Sequence, residues 1–326
     1  MDVQVRPFLL KPQWMNGLSE RLLVSHYVNN YGGALRRLNA IRARLASIDW
    51  TQVPTFEING LKREELIASA SVILHEVYFE SLGGYGDNPP TGVEEPPVEL
   101  ARALERDFGS VRQWRAEFVA MGKALGGGSG WVVLTRSPRD GTLTNIWQAD
   151  HTHGLAGGTP ILALDMYEHA YHIDFGSNAK AYVAAFMRNI AWNAVQDRYE
   201  DAVKVAPPRP LEQKEFADVP AISVEDVRAM IDGGTPVQII DARPRHFTTR
   251  SHEIMEGAVW RDPERIDEWI GEISKEQPVV TYCVYGFHVG CQTAITLRKA
   301  GFDARYMAGG HYAWKAVGGK VRLLEE

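Results

Sequence analysis

At 326 residues the chain exceeds what one hydrophobic core usually organises, so two domains are expected. Its 45% hydrophobic and 23% charged residues are typical of a folded, soluble protein, and a formal net charge of -6 leaves no electrostatic footprint for nucleic acid or an anionic membrane. The first 18 residues hold no apolar run of signal-peptide length, and no stretch is long enough to span a bilayer. The only cysteines are Cys283 and Cys291, which is no disulfide framework, so a reducing cytoplasm is the expected location.

Leu18, Leu22, Leu23, Tyr27, Leu35, Leu38 and Ile41 recur at helical spacing and predict a helix over 17–45 that contains His26 and kinks at Gly32-Gly33. A second helix is expected from Lys62, where Glu64 and Glu65 favour the N-terminal dipole, to Leu82, with His75 and Phe79 one turn apart on one face. Residues 83–97, rich in Gly, Pro and acids, read as a loop before a helical hairpin, 98–108 and 111–121, broken at Gly109-Ser110. Strand signals follow at 131–134, at 143–147 after the turn Pro138-Arg139-Asp140-Gly141, and at 161–164; helical periodicity returns over 178–203. Helices, a small antiparallel sheet and further helices make the first domain, residues 1–204, α+β.

Pro207-Pro208-Arg209-Pro210 stops a helix and favours an extended spacer, which marks 205–218 as a linker. Beyond it, over 219–326, the pattern alternates: helix 223–231, strand 237–240, helix 265–273, strand 279–282, helix 289–300 and a final strand 304–307. That order predicts an α/β domain with a parallel sheet.

Asp165 and His169 stand four positions apart, so a carboxylate and an imidazole can reach one point, and both ligate first-row transition metals. Two ligands do not hold an ion. His26 and His75, each inside a helical pattern, can complete the set, although a lone histidine on a helix is usually a packed or surface residue. What raises their standing is the frame around them: Glu105-Arg106-Asp107-Phe108-Gly109-Ser110, Gly128-Ser129-Gly130-Trp131, Asp165-Met166-Tyr167-Glu168-His169-Ala170-Tyr171 and Asn189-Ile190-Ala191-Trp192. In this order, residues 15–203 resemble the iron/manganese superoxide dismutases. The resemblance implies His26, His75, Asp165 and His169 as ligands of one iron or manganese ion per chain, with superoxide as substrate. It also implies a homodimer in which Glu168 bonds a ligand histidine of the partner subunit and Tyr171 lies nearby at the interface. Three neutral imidazoles and one carboxylate suit such a cycle, because uptake of one proton with each electron leaves the charge of a buried site unchanged.

Counted from Trp131, His151 falls where the family places the group that bonds metal-bound solvent, which makes it a catalytic candidate. Elsewhere the chain departs from the pattern. Asn30 and Ala34 replace the family's histidine and tyrosine one and two turns after the first ligand, Phe79 and Tyr167 stand where tryptophans are common, and Ser71 is small where other members place glutamine. The lost tyrosine would have bonded solvent and passed protons, so a second reading is a metalloprotein of sulfur, peroxide or dioxygen chemistry without efficient dismutation. Tyr27 and Tyr31 are candidate substitutes, but α-helical phase keeps Tyr31 off the His26 face.

Val237-Gln238-Ile239-Ile240-Asp241-Ala242-Arg243, His252-Glu253, Gly257-Ala258 and Val279-Val280-Thr281-Tyr282-Cys283 resemble a rhodanese domain across 219–322. A cysteine between a strand and the N-terminus of the next helix meets backbone N–H groups and a positive dipole, which favour thiolate and transferred sulfur. The resemblance makes Cys283-Val284-Tyr285-Gly286-Phe287-His288 the active loop and Cys283 the acceptor from a sulfur donor such as thiosulfate. The loop lacks the usual arginine or lysine, and Val289 stands where related phosphatases need arginine, which argues against phosphate chemistry. The other reading of this domain is a non-catalytic sensing or docking module. Cys291 and Trp314 read as packing residues, and Asp241 with Arg243 as a structural ion pair or turn support.

Overall fold

The computed structural model describes residues 2–8, 10–83, 95–206, 216 and 218–324. The chain divides into two compact units, Met1–Pro208 and Arg209–Glu326. Most of the expected loop at 83–97 and most of the expected linker at 205–218 lie outside the described residues.

The first unit opens with α1 (Glu20–Ser25), where the Ser19 hydroxyl accepts from the Leu22 amide, a cap worth about 1 kcal/mol. The chain then winds through a π-helical turn, His26–Tyr31, before continuing as α2 (Gly32–Ala46). The irregularity therefore falls ahead of the glycine pair. His26 and Tyr31 are both buried, and ordinary α spacing puts residues five apart on different faces; the wider i→i+5 turn lets both point inward. The helix expected from Lys62 begins two turns earlier, as α3 (Thr55–Glu80). Its first turns are anchored on α2 by the Arg44–Glu57 ion pair and by Leu61, which offset the poor helix propensity of Gly60.

The hairpin forms as expected, with α4 (Val98–Phe108) and α5 (Val111–Ala124). Gly109 turns the chain at φ +84, and the Ser110 hydroxyl caps the Gln113 amide. Next come β1 (Trp131–Arg136), β2 (Leu143–Gln148) and β3 (Thr159–Asp165) in an antiparallel sheet of order β2-β1-β3, with Trp131 directly opposite Asp165. After the short α6 (His172–Phe175), the helical periodicity expected over 178–203 forms two helices, α7 (Ala179–Arg188) and α8 (Trp192–Lys204). Asn189 stops α7 because its side chain accepts from the Asn16 amide and donates to the Asn16 and Ala185 carbonyls, while the Ala191 amide donates to Ser81. No periodicity argument sees these tertiary bonds. One core, centred on β1, β3, Trp114, Phe118 and Phe186, joins the sheet to the later helices, and a smaller one lies between α2 and α3.

The second unit contains β4 (Ala221–Ile222), α9 (Val224–Asp232), β5 (Gln238–Asp241), α10 (Arg245–Ser251), β6 (Glu253–Met255), β7 (Ala258–Trp260), α11 (Ile266–Trp269), β8 (Val279–Tyr282), α12 (Val289–Lys299), β9 (Ala304–Met307), α13 (Gly310–Ala316) and β10 (Val321–Leu323). Five strands form a parallel sheet of order β4-β9-β8-β5-β7, as α/β alternation requires. The strand at 304–307 is not the last: β10 pairs antiparallel with β6. Strands of two or three residues such as β4, β6 and β10 carry no readable period, which is why the sequence did not announce them. The helix expected over 265–273 reduces to α11 and a 3-10 turn, Ile270–Glu272. No helix among the described residues is long and apolar enough to cross a membrane.

Gly130, at φ +137, approaches β2 so closely that a Cβ would sit 2.0 Å from the Gln148 carbonyl oxygen. Gly130→Ala is expected to destabilise the first unit by about 2–4 kcal/mol through backbone strain and overpacking. Urea unfolding reads this as a lowered midpoint; an unchanged midpoint would mean that the strand pair parts there without cost.

Candidate metal centre and candidate sulfur site

Four elements bring the metal candidates together. His26 opens the π turn, His75 lies in α3, Asp165 ends β3, and His169 sits on the 3-10 turn Glu168–Ala170 that follows. Their ligand atoms all lie within 4.8 Å of one another. Donors each about 2.1 Å from a common ion are separated by about 3–4 Å, so the widest pair must draw in by about an ångström to close the cage. Asp165 Oδ2 is the focus: Nε2 of His26 is 3.1 Å away, of His169 3.2 Å, and of His75 3.6 Å. The other carboxylate oxygen, Oδ1, accepts from the Tyr167 amide at 2.8 Å, which fixes the orientation of the group.

The donor set has the protonation state an ion requires. The His75 Nδ1–H donates to the Ser71 carbonyl at 2.7 Å, so its Nε2 carries a lone pair, and that Nε2 is buried without a hydrogen-bond partner. Burial pushes the His75 imidazole down to about 3 and lowers that of His26. Burial alone would raise the Asp165 carboxyl, but His169 and His26 hold it well below the usual carboxylate range. Neutral His26 and His75 imidazoles beside an ionised carboxylate fit one iron or manganese ion, and an orphaned nitrogen in a buried site is what such an ion would satisfy.

Around the cluster the rings are stacked in order. Tyr167 lies between His151 and His169, with centroids 5.0 and 5.4 Å away and interplanar angles of 12° and 15°. Trp131 Nε1–H donates to His151 Nδ1 at 2.9 Å, so the neutral His151 ring carries its proton on Nε2. Its centroid is 6.1 Å from that of His75. Trp131 thus has a part that its motif membership did not specify, and its register opposite Asp165 is what brings it there. His153 is exposed and lies near Asp150.

The π turn overturns the expected phase of Tyr31, whose ring is buried with its centroid 6.5 Å from His75. Its hydroxyl is nonetheless committed elsewhere: it donates to Glu76 Oε1 at 3.0 Å and accepts from the Arg6 amide at 2.8 Å. Burial raises its phenol to about 12. Tyr27 likewise donates to the Arg6 carbonyl. Asn30 and Ala34 line a cavity together with His75, His151 and His169. Phe79 packs on His26, centroid to centroid 5.0 Å. On the turn after β3, Glu168 is exposed, whereas Tyr171 is 1% exposed and stacks on Tyr182 inside its own unit.

In the second unit Cys283 follows β8 directly and is 5% exposed. The His311 amide donates to its carbonyl at 2.9 Å, and the Tyr312 amide to that of Val284, which pins the loop on the start of α13. At Gly286, φ +71, a Cβ would lie 2.3 Å from the Gly310 amide nitrogen, so only glycine permits this crossing. Asp241 and Arg243 form the buried ion pair at 2.6 Å, and Arg243 also donates to the Glu253 carbonyl. Cys291 and Trp314 are packed in the cores. The loop's exposed side chains are aromatic: Tyr285 stacks near Phe287 and Tyr312, with centroids 6.1 and 5.5 Å away.

A buried cage of three histidines and one aspartate, set between helices and a small sheet, defines a mononuclear metalloprotein. Residues 96–198 match the family described as iron/manganese superoxide dismutases, C-terminal domain, and residues 223–317 match the rhodanese-like domain. The chain is 59% identical over 204 residues to a superoxide dismutase [Fe] of Cupriavidus metallidurans, covering 63% of this chain and 100% of the relative. It is 32% identical over 201 residues to the superoxide dismutase [Fe] of Aquifex pyrophilus, 60% of this chain and 90% of that one. Over 188 residues it is 38% identical to superoxide dismutase [Mn] 1 of Halobacterium salinarum, 57% of this chain and 89% of the relative. The chain belongs to the iron/manganese superoxide dismutase family, and it carries a rhodanese-like domain after that part.

The lowered His75 value has a definite sign. Between about pH 3 and the ordinary imidazole value of 6.5 the unfolded chain binds a proton that the folded metal-free chain refuses, so stability falls as pH drops through 6.5. The depressed Asp165 carboxyl adds to this at lower pH, because its stabilisation is present above its unfolded value and lost below it. Metal-free protein is expected to melt about 5 °C lower at pH 5 than at pH 7.5, while metal-loaded protein melts higher at both. Melting that is level across this range would contradict a neutral buried His75.

Proposed function

We propose that the first unit dismutes superoxide, converting two superoxide ions and two protons to dioxygen and hydrogen peroxide, with one iron or manganese ion held by His26, His75, Asp165 and His169. The observation that carries this reading is the convergence of three imidazole Nε2 atoms on one oxygen of a buried carboxylate whose other oxygen is already tied to backbone. Bound there, the ion supplies a one-electron cycle in which one superoxide gives up an electron and the next receives it. The chain's own groups handle the protons. His151 is the catalytic donor, because its Nδ1 is engaged by Trp131 and its Nε2–H is left for solvent or product. Tyr167, stacked on both His151 and His169, keeps the two rings in register. Ala34 has no hydroxyl to offer and that of Tyr31 is engaged by Arg6 and Glu76, so proton delivery falls to His151 and to water in the adjoining cavity.

The exposed Glu168 suits a homodimer in which it pairs with a ligand histidine of the partner subunit. The second unit is a sulfurtransferase in this reading, with domains at 1–204 and 219–326 joined by the linker 205–218. A Cys283 thiolate attacks the outer sulfur of a donor such as thiosulfate; the S–S bond breaks, sulfite leaves with the electron pair, and Cys283 carries the sulfur as a persulfide. Cys283 and Cys291 are not joined in a disulfide, which suits a reducing cytoplasm.

Elemental analysis and superoxide assay on one purified sample test the first unit. His169→Ala is expected to lose both the ion and the activity. His151→Ala should keep the ion and lower kcat by about 10- to 100-fold. A wild-type chain that holds one ion and dismutes nothing would overturn the reading. For the second unit, Cys283→Ser should abolish persulfide formation from thiosulfate and leave metal content unchanged; a wild-type chain that takes up no sulfur would leave the domain non-catalytic.

A further inference from the structure

Cys283 is almost wholly buried, so only the transferred sulfur of a donor reaches it, and the rest of the donor stays against the residues around the mouth. Those residues are aromatic. Tyr285 and Phe287, from the same loop, are each about half exposed, and so is Tyr312 of α13, whose amide donates to the Val284 carbonyl. The Tyr285 ring lies 26° from the plane of Phe287 and 31° from that of Tyr312, so the rings form one shelf beside the thiol loop. Such a shelf gains most from an apolar or aromatic group laid on it.

The same surroundings are poor for an inorganic dianion. The loop holds no arginine or lysine, and its His288 packs beside Phe216 with centroids 6.2 Å apart. The cations on the neighbouring segments are engaged: Arg243 with Asp241, Arg261 with Glu272, Lys315 with Glu253, and Arg245 over the ring of Trp260. Thiosulfate and the sulfite it releases each carry two negative charges, and their desolvation is not offset by rings.

We infer that the donor to Cys283 is an organic sulfane-sulfur compound, in which the transferred sulfur is borne by an aryl or other apolar group, and that Tyr285, Phe287 and Tyr312 select it over thiosulfate. The inference rests on the reading of Cys283 as a sulfur acceptor. With an aryl thiosulfonate the Cys283 thiolate attacks the outer sulfur; the S–S bond breaks, the aryl sulfinate leaves with the electron pair, and Cys283 carries the sulfur as a persulfide anion. The reaction matches that of thiosulfate except that the leaving group has one charge fewer and a ring.

The test follows persulfide formation in the full-length protein by mass spectrometry, with thiosulfate, methanethiosulfonate and benzenethiosulfonate as separate donors and Cys283→Ser as the blank. Each second-order rate constant is divided by that of a small thiol in the same buffer, which removes the donor's intrinsic reactivity. On that scale benzenethiosulfonate is expected to exceed methanethiosulfonate by about tenfold, and thiosulfate to be slowest. Tyr285→Ala and Tyr312→Ala, at exposed positions, should each lower the benzene-to-methane ratio by about threefold or more, whereas Tyr312→Phe should keep it. A ratio taken within one protein does not depend on how much of a variant is folded. A wild-type ratio near one, thiosulfate as the fastest donor, or a ratio that the alanine variants leave unchanged overturns this inference and leaves sulfur transfer standing. Persulfide from none of the three donors overturns sulfur transfer and this inference with it.

Discussion

The first unit depends on keeping the Asp165 carboxylate ionised with no exposure to solvent. An isolated buried carboxylate would cost several kcal/mol and take up a proton instead. Here one oxygen is tied to the Tyr167 amide and the other faces three imidazoles. Everything that supplies those partners must meet at the end of β3. That requirement explains why two separate helical segments, a strand end and the turn after it converge on one point, and why a bound ion and a folded unit are linked quantities.

The same constraint shapes the second layer. The antiparallel register that sets Trp131 opposite Asp165 also aims its indole at His151, which fixes the tautomer of that ring. The π turn at His26–Tyr31 admits both of these residues to the interior, yet the Tyr31 hydroxyl is tied to Arg6 and Glu76. The side chains that face the open space next to the ligands are consequently Asn30, Ala34 and Ser71. Small residues here leave open space beside the cluster where a bulkier chain would fill it.

The second unit uses a different device at an equivalent place, the C-terminal end of a strand. Its loop is shaped by backbone contact with the start of α13, where Gly286 and Gly310 approach too closely for any Cβ. The buried Asp241–Arg243 pair ties the end of β5 to the Glu253 carbonyl, and removing either partner would cost about 3–5 kcal/mol. With no arginine or lysine in the loop itself and aromatic rings around its mouth, the surroundings of Cys283 differ in chemistry from those of the metal centre.

By itself the sequence determined the main elements of each part and the two-part organisation, and its motif runs pointed to the four cage residues through the family they resemble, because period, turn chemistry and motif runs are local signals. Asp165 and His169 were legible from a spacing of four, and Cys283 from its place between a strand and a helix. What only the tertiary structure decided depends on partners distant in the chain. The π turn arises from burying His26 and Tyr31 together, the break at Asn189 from bonds to Asn16 and Ser81, and the early start of α3 from its contact with α2. The burial of Tyr171, the proton position on His151 and the chamber under Ala34 likewise follow from side chains that no local pattern places side by side. Local chemistry marked the candidate ligands, and long-range packing set the space and the donors around them.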